Sequence, residues 1–229
     1  MAHMGRARGG WTWISLRILV LGVLVLMFGF PVSVRAITGQ EIVRRIQERF
    51  KEFKDFSSDF HQEFYWKLVE KTQGFRGKLY IKKPSKFRIE NDKQVVVSDG
   101  KSIWIYSPEN EQVIVDDYRK LEDSSSPERL LFRYSERYVP KYLGEKRVLG
   151  KSCYLIELTP KQEDAEFVQM KAWVDRKQWL TLKVECLDFN ENMTTYTLSN
   201  VRIDSKLEDS LFRFVTPHGV DTVDMREGR

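Results

Sequence analysis

From Phe56 onward the chain is governed by a period of two. Phe56, Ser58, Phe60, Gln62 and Phe64 fall on one side of a segment, with Ser57, Asp59, His61 and Glu63 between them. Such alternation places successive side chains on opposite faces of a strand. It recurs at Phe75 to Ile81, at Phe87 and Ile89 beyond Pro84, and at Gln94 to Ser98, Ser102 to Tyr106 and Gln112 to Val115. Further strands are expected near Ser152 to Leu158, Glu166 to Val174, Leu180 to Leu187 and Met193 to Ile203. Phe212 and Phe214 end the pattern before Pro217. Strands at this spacing predict a barrel or a strongly curled sheet. An aromatic fraction of 13% favours strands as well.

Local signals fix several turns and caps. Asp99-Gly100 lies between two apolar runs and predicts a tight hairpin, because both residues tolerate positive φ. Asp175 to Gln178 and Asn190 to Asn192 predict two more turns. Near the start, Thr38-Gly39-Gln40-Glu41 has the form of a capping box. Ile42, Ile46, Phe50 and Phe53 then recur at helical spacing, which predicts one amphipathic helix from Gly39 to Phe53. Between Tyr118 and Tyr142 the alternation breaks. This stretch is expected to form one or two short helices over the sheet, with Ser126 as N-cap, Pro127 at the first helical position and Leu130, Leu131 and Tyr134 on the apolar side.

The first 36 residues differ from the rest. Arg6, Arg8 and Arg17 precede an apolar run from Ile18 to Phe30, and Pro31 and Val34-Arg35-Ala36 follow. That is the plan of a cleaved signal peptide, with the cut after Ala36 and residues 37–229 forming one mature domain. The run is 13 residues long, short of the roughly 20 a spanning helix needs. The leader holds four Arg and no acid, so the remainder carries 38 − 4 = 34 basic against 33 acidic residues. A near-neutral body does not suit a nucleic-acid binder. Cys153 and Cys186 are expected to be free and buried, because an intervening strand and opposite strand ends keep them apart.

Catalytic motifs are absent from the sequence. It has no Gly-rich phosphate loop, no G-x-S-x-G elbow, and no His-x-x-His or Cys-x-x-Cys pair. Carboxylates such as Glu63, Asp99, Asp116, Asp117 and Glu157 suit solvated faces and turns. Neither an enzyme nor a cofactor is expected.

Four segments, in order, resemble one family. They are Phe56-Ser57-Ser58-Asp59-Phe60-His61-Gln62, Lys82-Lys83-Pro84-Ser85-Lys86-Phe87-Arg88, the hairpin Val97 to Tyr106, and Phe212 to Val220. The chain is similar to the LolA family of periplasmic lipoprotein carriers over nearly all of residues 38 to 224. The resemblance implies a mainly β fold: an incomplete antiparallel β-barrel with a lid of short α-helices. It also implies a monomeric, non-enzymatic periplasmic chaperone. Such a carrier takes the acyl chains of lipoproteins from an inner-membrane ABC transporter to an outer-membrane receptor. The alternatives are a periplasmic lipoprotein-sensing regulator and a LolB-like receptor. The latter needs a lipidated N-terminal Cys, and no Cys precedes residue 153. Phe87, Ile89, Val96, Leu130 and Phe132 are the expected cavity residues, with Ile46 and Phe50 as its floor. The family usually places Arg before the Pro, as a latch on the lid. Here Lys83 stands there, and it keeps the charge without the planar fork.

Overall fold

The computed structural model describes residues 36–122, 126–163 and 165–226. Of the expected leader only Ala36 is among the described residues, and Asp123, Ser124 and Ser125 also lie outside them.

The first element, α1 (Gly39–Glu52), begins where the capping signal predicts. The Thr38 hydroxyl accepts from the Glu41 N–H at 3.2 Å. Ile42, Val43 and Ile46 are buried, while Glu41 pairs with Arg44 and Arg45 on the solvent side. Gly39 has a steric reason. A Cβ there would sit 2.7 Å from the carbonyl oxygen of Pro140, so only glycine lets the helix start lie against that backbone.

Six strands follow as consecutive antiparallel hairpins: β1 (Asp55–Trp66), β2 (Lys71–Lys82), β3 (Lys86–Asn91), β4 (Val95–Asp99), β5 (Ser102–Ser107) and β6 (Gln112–Asp117). The Asp-Gly turn joins β4 to β5 as expected. Gly100 has φ 92°, and the Asp99 carboxylate accepts from the N–H groups of Lys101 and Ser102 at 2.8 and 2.9 Å. Two short helices come next, α2 (Tyr118–Glu122) and α3 (Pro127–Phe132), then a 3₁₀ turn at Tyr134–Glu136. A second meander comprises β7 (Tyr138–Val148), β8 (Lys151–Pro160), β9 (Gln169–Asp175), β10 (Thr181–Leu187) and β11 (Met193–Ile203).

β11 returns to pair with β1 and fuses the two meanders. With β12 (Asp221–Asp224) the order across the sheet is β12-β6-β5-β4-β3-β2-β1-β11-β10-β9-β8-β7. The two end strands are not paired with each other, so the sheet is curled and unclosed. α1 lies inside the curl, where Phe53, Phe56, Ile46, Ile81, Ile156 and Phe132 share one apolar cluster.

Two strands depart from the sequence expectation. β7 occupies residues 138–148, partly within the stretch expected to be helical. Pro140 argues against a strand only where its missing N–H would be needed. β7 is an edge strand, so one side makes no ladder bonds, and its outward positions Val139 and Leu143 are exposed. β12 pairs in parallel with β6, about a hundred residues earlier, and breaks the otherwise antiparallel pattern.

The cysteines lie as the spacing predicts. Cys186 on β10 is level with Met170 on β9 and hence with Leu158 on β8, five positions from Cys153. Both thiols are free and buried.

Candidate functional site

Cross-strand pairing builds an apolar wall from residues that share one parity. Leu198, Phe60, Gly77 and Asn91 form one row across β11, β1, β2 and β3. Leu79, Ile89 and Val96 continue the next row across β2, β3 and β4. Tyr196 and Gln62 form the row beyond. Gly77 is required here. An added Cβ would come within 2.8 Å of the Phe60 ring and 2.0 Å of the Glu90 carbonyl oxygen. The missing side chain is what lets Phe60 lie across β2.

Opposite this wall stands α3. The Ser126 hydroxyl accepts from the Arg129 N–H, and Pro127 occupies the first turn. A half-open hollow of about 210 Å³ remains between α3 and the wall. Phe60, Leu79, Ile89 and Leu198 line it from the sheet, with Pro127, Leu130 and Leu131 from α3. Its polar lining consists of the amides of Gln62, Asn91 and Gln94 and the Tyr196 phenol, and among the described residues no charged side chain lines it. Burial pushes the Tyr196 phenol up, so it stays protonated at neutral pH.

Of the sequence-predicted residues, Ile89 and Leu130 line the hollow. Val96 is the cross-strand partner of Ile89 and packs against the core. Phe87 is buried one row further in, opposite Ile81 and beside the Tyr118 ring. Ile46 is buried in the same cluster. Phe132 and Phe50 meet each other instead: their rings stack at 4.8 Å, and Phe53 and Phe56 meet Phe132 edge-on at 5.7 and 5.6 Å. This aromatic knot ties α3 to α1 and β1.

Lys83 is attached to that knot. Its ammonium donates to the Phe50 carbonyl near the end of α1 and sits 4.4 and 4.9 Å from the Phe50 and Phe53 ring centres. A cation at a helix C-terminus and over ring faces is favoured in both respects. Burial still pulls its pKa down, opposed by the charges of Glu128 and Asp204. Thus Lys83 bears on α3 through the Phe50 ring, which stacks on Phe132, and through the charge of Glu128.

A second attachment of α3 was not legible in the sequence. The Thr181 hydroxyl on β10 donates to the Leu131 carbonyl at 2.7 Å. Its proton being used there, it accepts from the Tyr134 hydroxyl at 3.1 Å. Thr181 and Tyr134 are both buried, and burial pushes the Tyr134 phenol far up. Phe60, Leu79 and Leu198 could have been found by sharing the parity of Ile89. The three amides share that parity with Phe60, Ile89 and Val96, whereas the Thr181 relay carries no local sequence signal.

Comparison with known proteins agrees with this architecture. Residues 51–215 match the family model described as outer membrane lipoprotein carrier protein LolA. An uncharacterized protein of Methanocaldococcus jannaschii is 30% identical over 88% of this chain, which spans 58% of that protein's length. An outer-membrane lipoprotein carrier protein of Chromohalobacter salexigens is 28% identical over 86% of this chain and 92% of its own. Among solved structures, an uncharacterized conserved protein of Thermus thermophilus superposes with a TM-score of 0.56 at 14% identity, covering 81% of this chain and 98% of that one. The matched family is one of carriers and chaperones, not enzymes. With its model spanning most of the curled sheet, the chain belongs to the LolA family.

Proposed function

We propose that this protein carries the acyl chains of lipoproteins across the periplasm, receiving them from an inner-membrane ABC transporter and yielding them to an outer-membrane receptor. One observation carries the reading: a largely apolar hollow between the sheet and a short helix, with no charged side chain among its described lining residues. Acyl chains need such a surface, because each methylene removed from water contributes roughly 0.8 kcal/mol. The amides of Gln62, Asn91 and Gln94 supply neutral hydrogen-bonding partners suited to ester and amide carbonyls at the head of a lipid.

Volume sets how it works. A dry cavity of about 150 Å³ accommodates a benzene ring. The hollow, at about 210 Å³, therefore admits only a short hydrocarbon segment with α3 in place. Whole acyl chains require α3 to move. Its motion uncovers Leu130, Leu131 and Phe132, and hydrocarbon then replaces the contacts they lose. Thr181 and the aromatic knot hold α3 down when no lipid is present. Lys83 acts as the latch at one remove, by fixing Phe50 beneath Phe132. Release needs no nucleotide; it needs only a receptor whose cavity binds the chains more strongly. Export through the leader, with cleavage after Ala36, places the domain in this compartment.

A fluorescent acyl probe tests the reading directly. The probe binds residues 37–229 and is displaced by triacylated lipoprotein but not by its unacylated form. If neither probe nor lipoprotein binds, the carrier function is wrong.

A further inference from the structure

The β1–β2 hairpin outruns its neighbour on one side. β3 pairs only with Gly77–Lys82 of β2, which leaves Lys71–Arg76 extending past it. At the usual rise those six residues reach about 20 Å. On the other side β11 pairs with β1 up to Tyr65, so the β10–β11 turn ends beside the β1–β2 turn. The Lys67 N–H donates to the Asn192 side-chain oxygen at 3.1 Å, and Lys67 Nζ lies 3.8 Å from Glu191. The two turns therefore make one held tip.

That tip is apolar. Leu68 is 94% exposed, Phe189 63%, Val69 52% and Trp66 46%. The Trp66 ring is braced edge-on by Phe64 at 5.1 Å. Phe64 and Trp66 lie on the same face of β1 as Phe60 and Gln62, which line the hollow. The inner face of β1 thus runs from the hollow, past Gln62, to the tip.

We propose that this tip enters a phospholipid bilayer. Single exposed apolar side chains are ordinary, but four large ones on two joined turns are not. The composition suits a membrane interface: a Trp at headgroup depth, Leu and Val beyond it, and lysines whose tips reach water. Lys67 and Lys71 are outweighed at the tip by Glu70, Asp188 and Glu191, +2 against −3, so its net charge of −1 does not steer it toward anionic lipid. Insertion is driven by apolar burial, and a zwitterionic surface suffices. Docking stands apart from the carrier function. Its consequence, a route for acyl chains between the hollow and a membrane, rests on it.

Residues 37–229 contain the whole sheet and its core, so this body is used with vesicles of phosphatidylcholine, alone or mixed with phosphatidylglycerol. The protein co-floats with both, at low and at high salt. Leu68→Glu and Phe189→Glu each lower the vesicle partition coefficient by about tenfold or more, the loss expected from one buried apolar side chain. Neither changes the thermal midpoint or the affinity for the acyl probe. Absence of flotation, flotation unaffected by both substitutions, or flotation only with anionic lipid at low salt would each overturn the proposal. Self-association that Leu68→Glu abolishes, without flotation, would assign the tip to a second copy of the chain and overturn it too. Flotation without any probe binding would uphold docking and refute the carrier function.

Discussion

Thr181→Val isolates the attachment of α3. Valine has the shape of threonine but no hydroxyl, so the change is confined to two hydrogen bonds. The Leu131 carbonyl loses its 2.7 Å donor and the Tyr134 hydroxyl loses its 3.1 Å acceptor. Both side chains involved are buried, at 1% exposure or less. A buried polar group left without a partner costs about 1–3 kcal/mol, so the pair is expected to cost about 2–6 kcal/mol. That is a large part of the stability of an ordinary domain, about 5–15 kcal/mol.

Tyr134→Phe differs in kind. Thr181 keeps its donor bond to Leu131 and loses only one incoming bond, which costs about 0.5–1.5 kcal/mol. The double variant leaves a single orphan, the Leu131 carbonyl, at about 1–3 kcal/mol. Tyr134→Phe added to Thr181→Val therefore restores stability. Urea unfolding of the four proteins gives the coupling through a double-mutant cycle. Stopped-flow entry of the acyl probe reports α3 mobility and is fastest for Thr181→Val. If the double variant is less stable than Thr181→Val alone, the relay does not carry the bonds assigned to it.

Four further outcomes are expected. Gly77→Ala forces apart Phe60 and the β3 backbone and destabilises by about 1–3 kcal/mol or more, read from the urea midpoint. Leu130→Trp fills the hollow; probe affinity falls at least tenfold while the thermal midpoint changes little, and retained affinity would place the probe elsewhere. Lys83→Leu removes the bond to the Phe50 carbonyl and the contact with two rings, about 1–2 kcal/mol together, and speeds probe entry less than Thr181→Val does. Alkaline pH acts through the buried thiols: burial pushes Cys153 up from 9.0 to about 11. Its proton is held more tightly in the folded state, so its stabilising effect is complete below pH 9.0 and is lost as pH rises through about 11. Cys153→Ala reduces the fall of the urea midpoint over that window, and Cys186, pushed up further by burial, retains the rest.

Local chemistry was legible wherever a short segment dictates its own dihedral angles. Thr38 and Ser126 cap helices because their hydroxyls meet N–H groups three residues on, and Asp99-Gly100 turns because both residues accept the required backbone. Parity along β1, β2 and β3 told which side chains face inward, and it put Ile89 on the wall of the hollow. β7 escaped that reasoning because Pro140 and its many charges disguise a strand that only an edge can tolerate. The resemblance pointed to a latch at Lys83, but its partner turned out to be the carbonyl of Phe50 on α1.

The sequence by itself determined most of the strands, their inward faces and the caps. Only the tertiary structure decided that Phe87 and Phe132 would be packed solid while Ile89 and Leu130 border empty space. A void is a difference between volumes contributed by elements far apart in the chain, here β1, β3, β11 and α3. No local pattern encodes that difference. For the same reason Thr181 and Tyr134, 47 residues apart, reveal their bond only after folding brings them together.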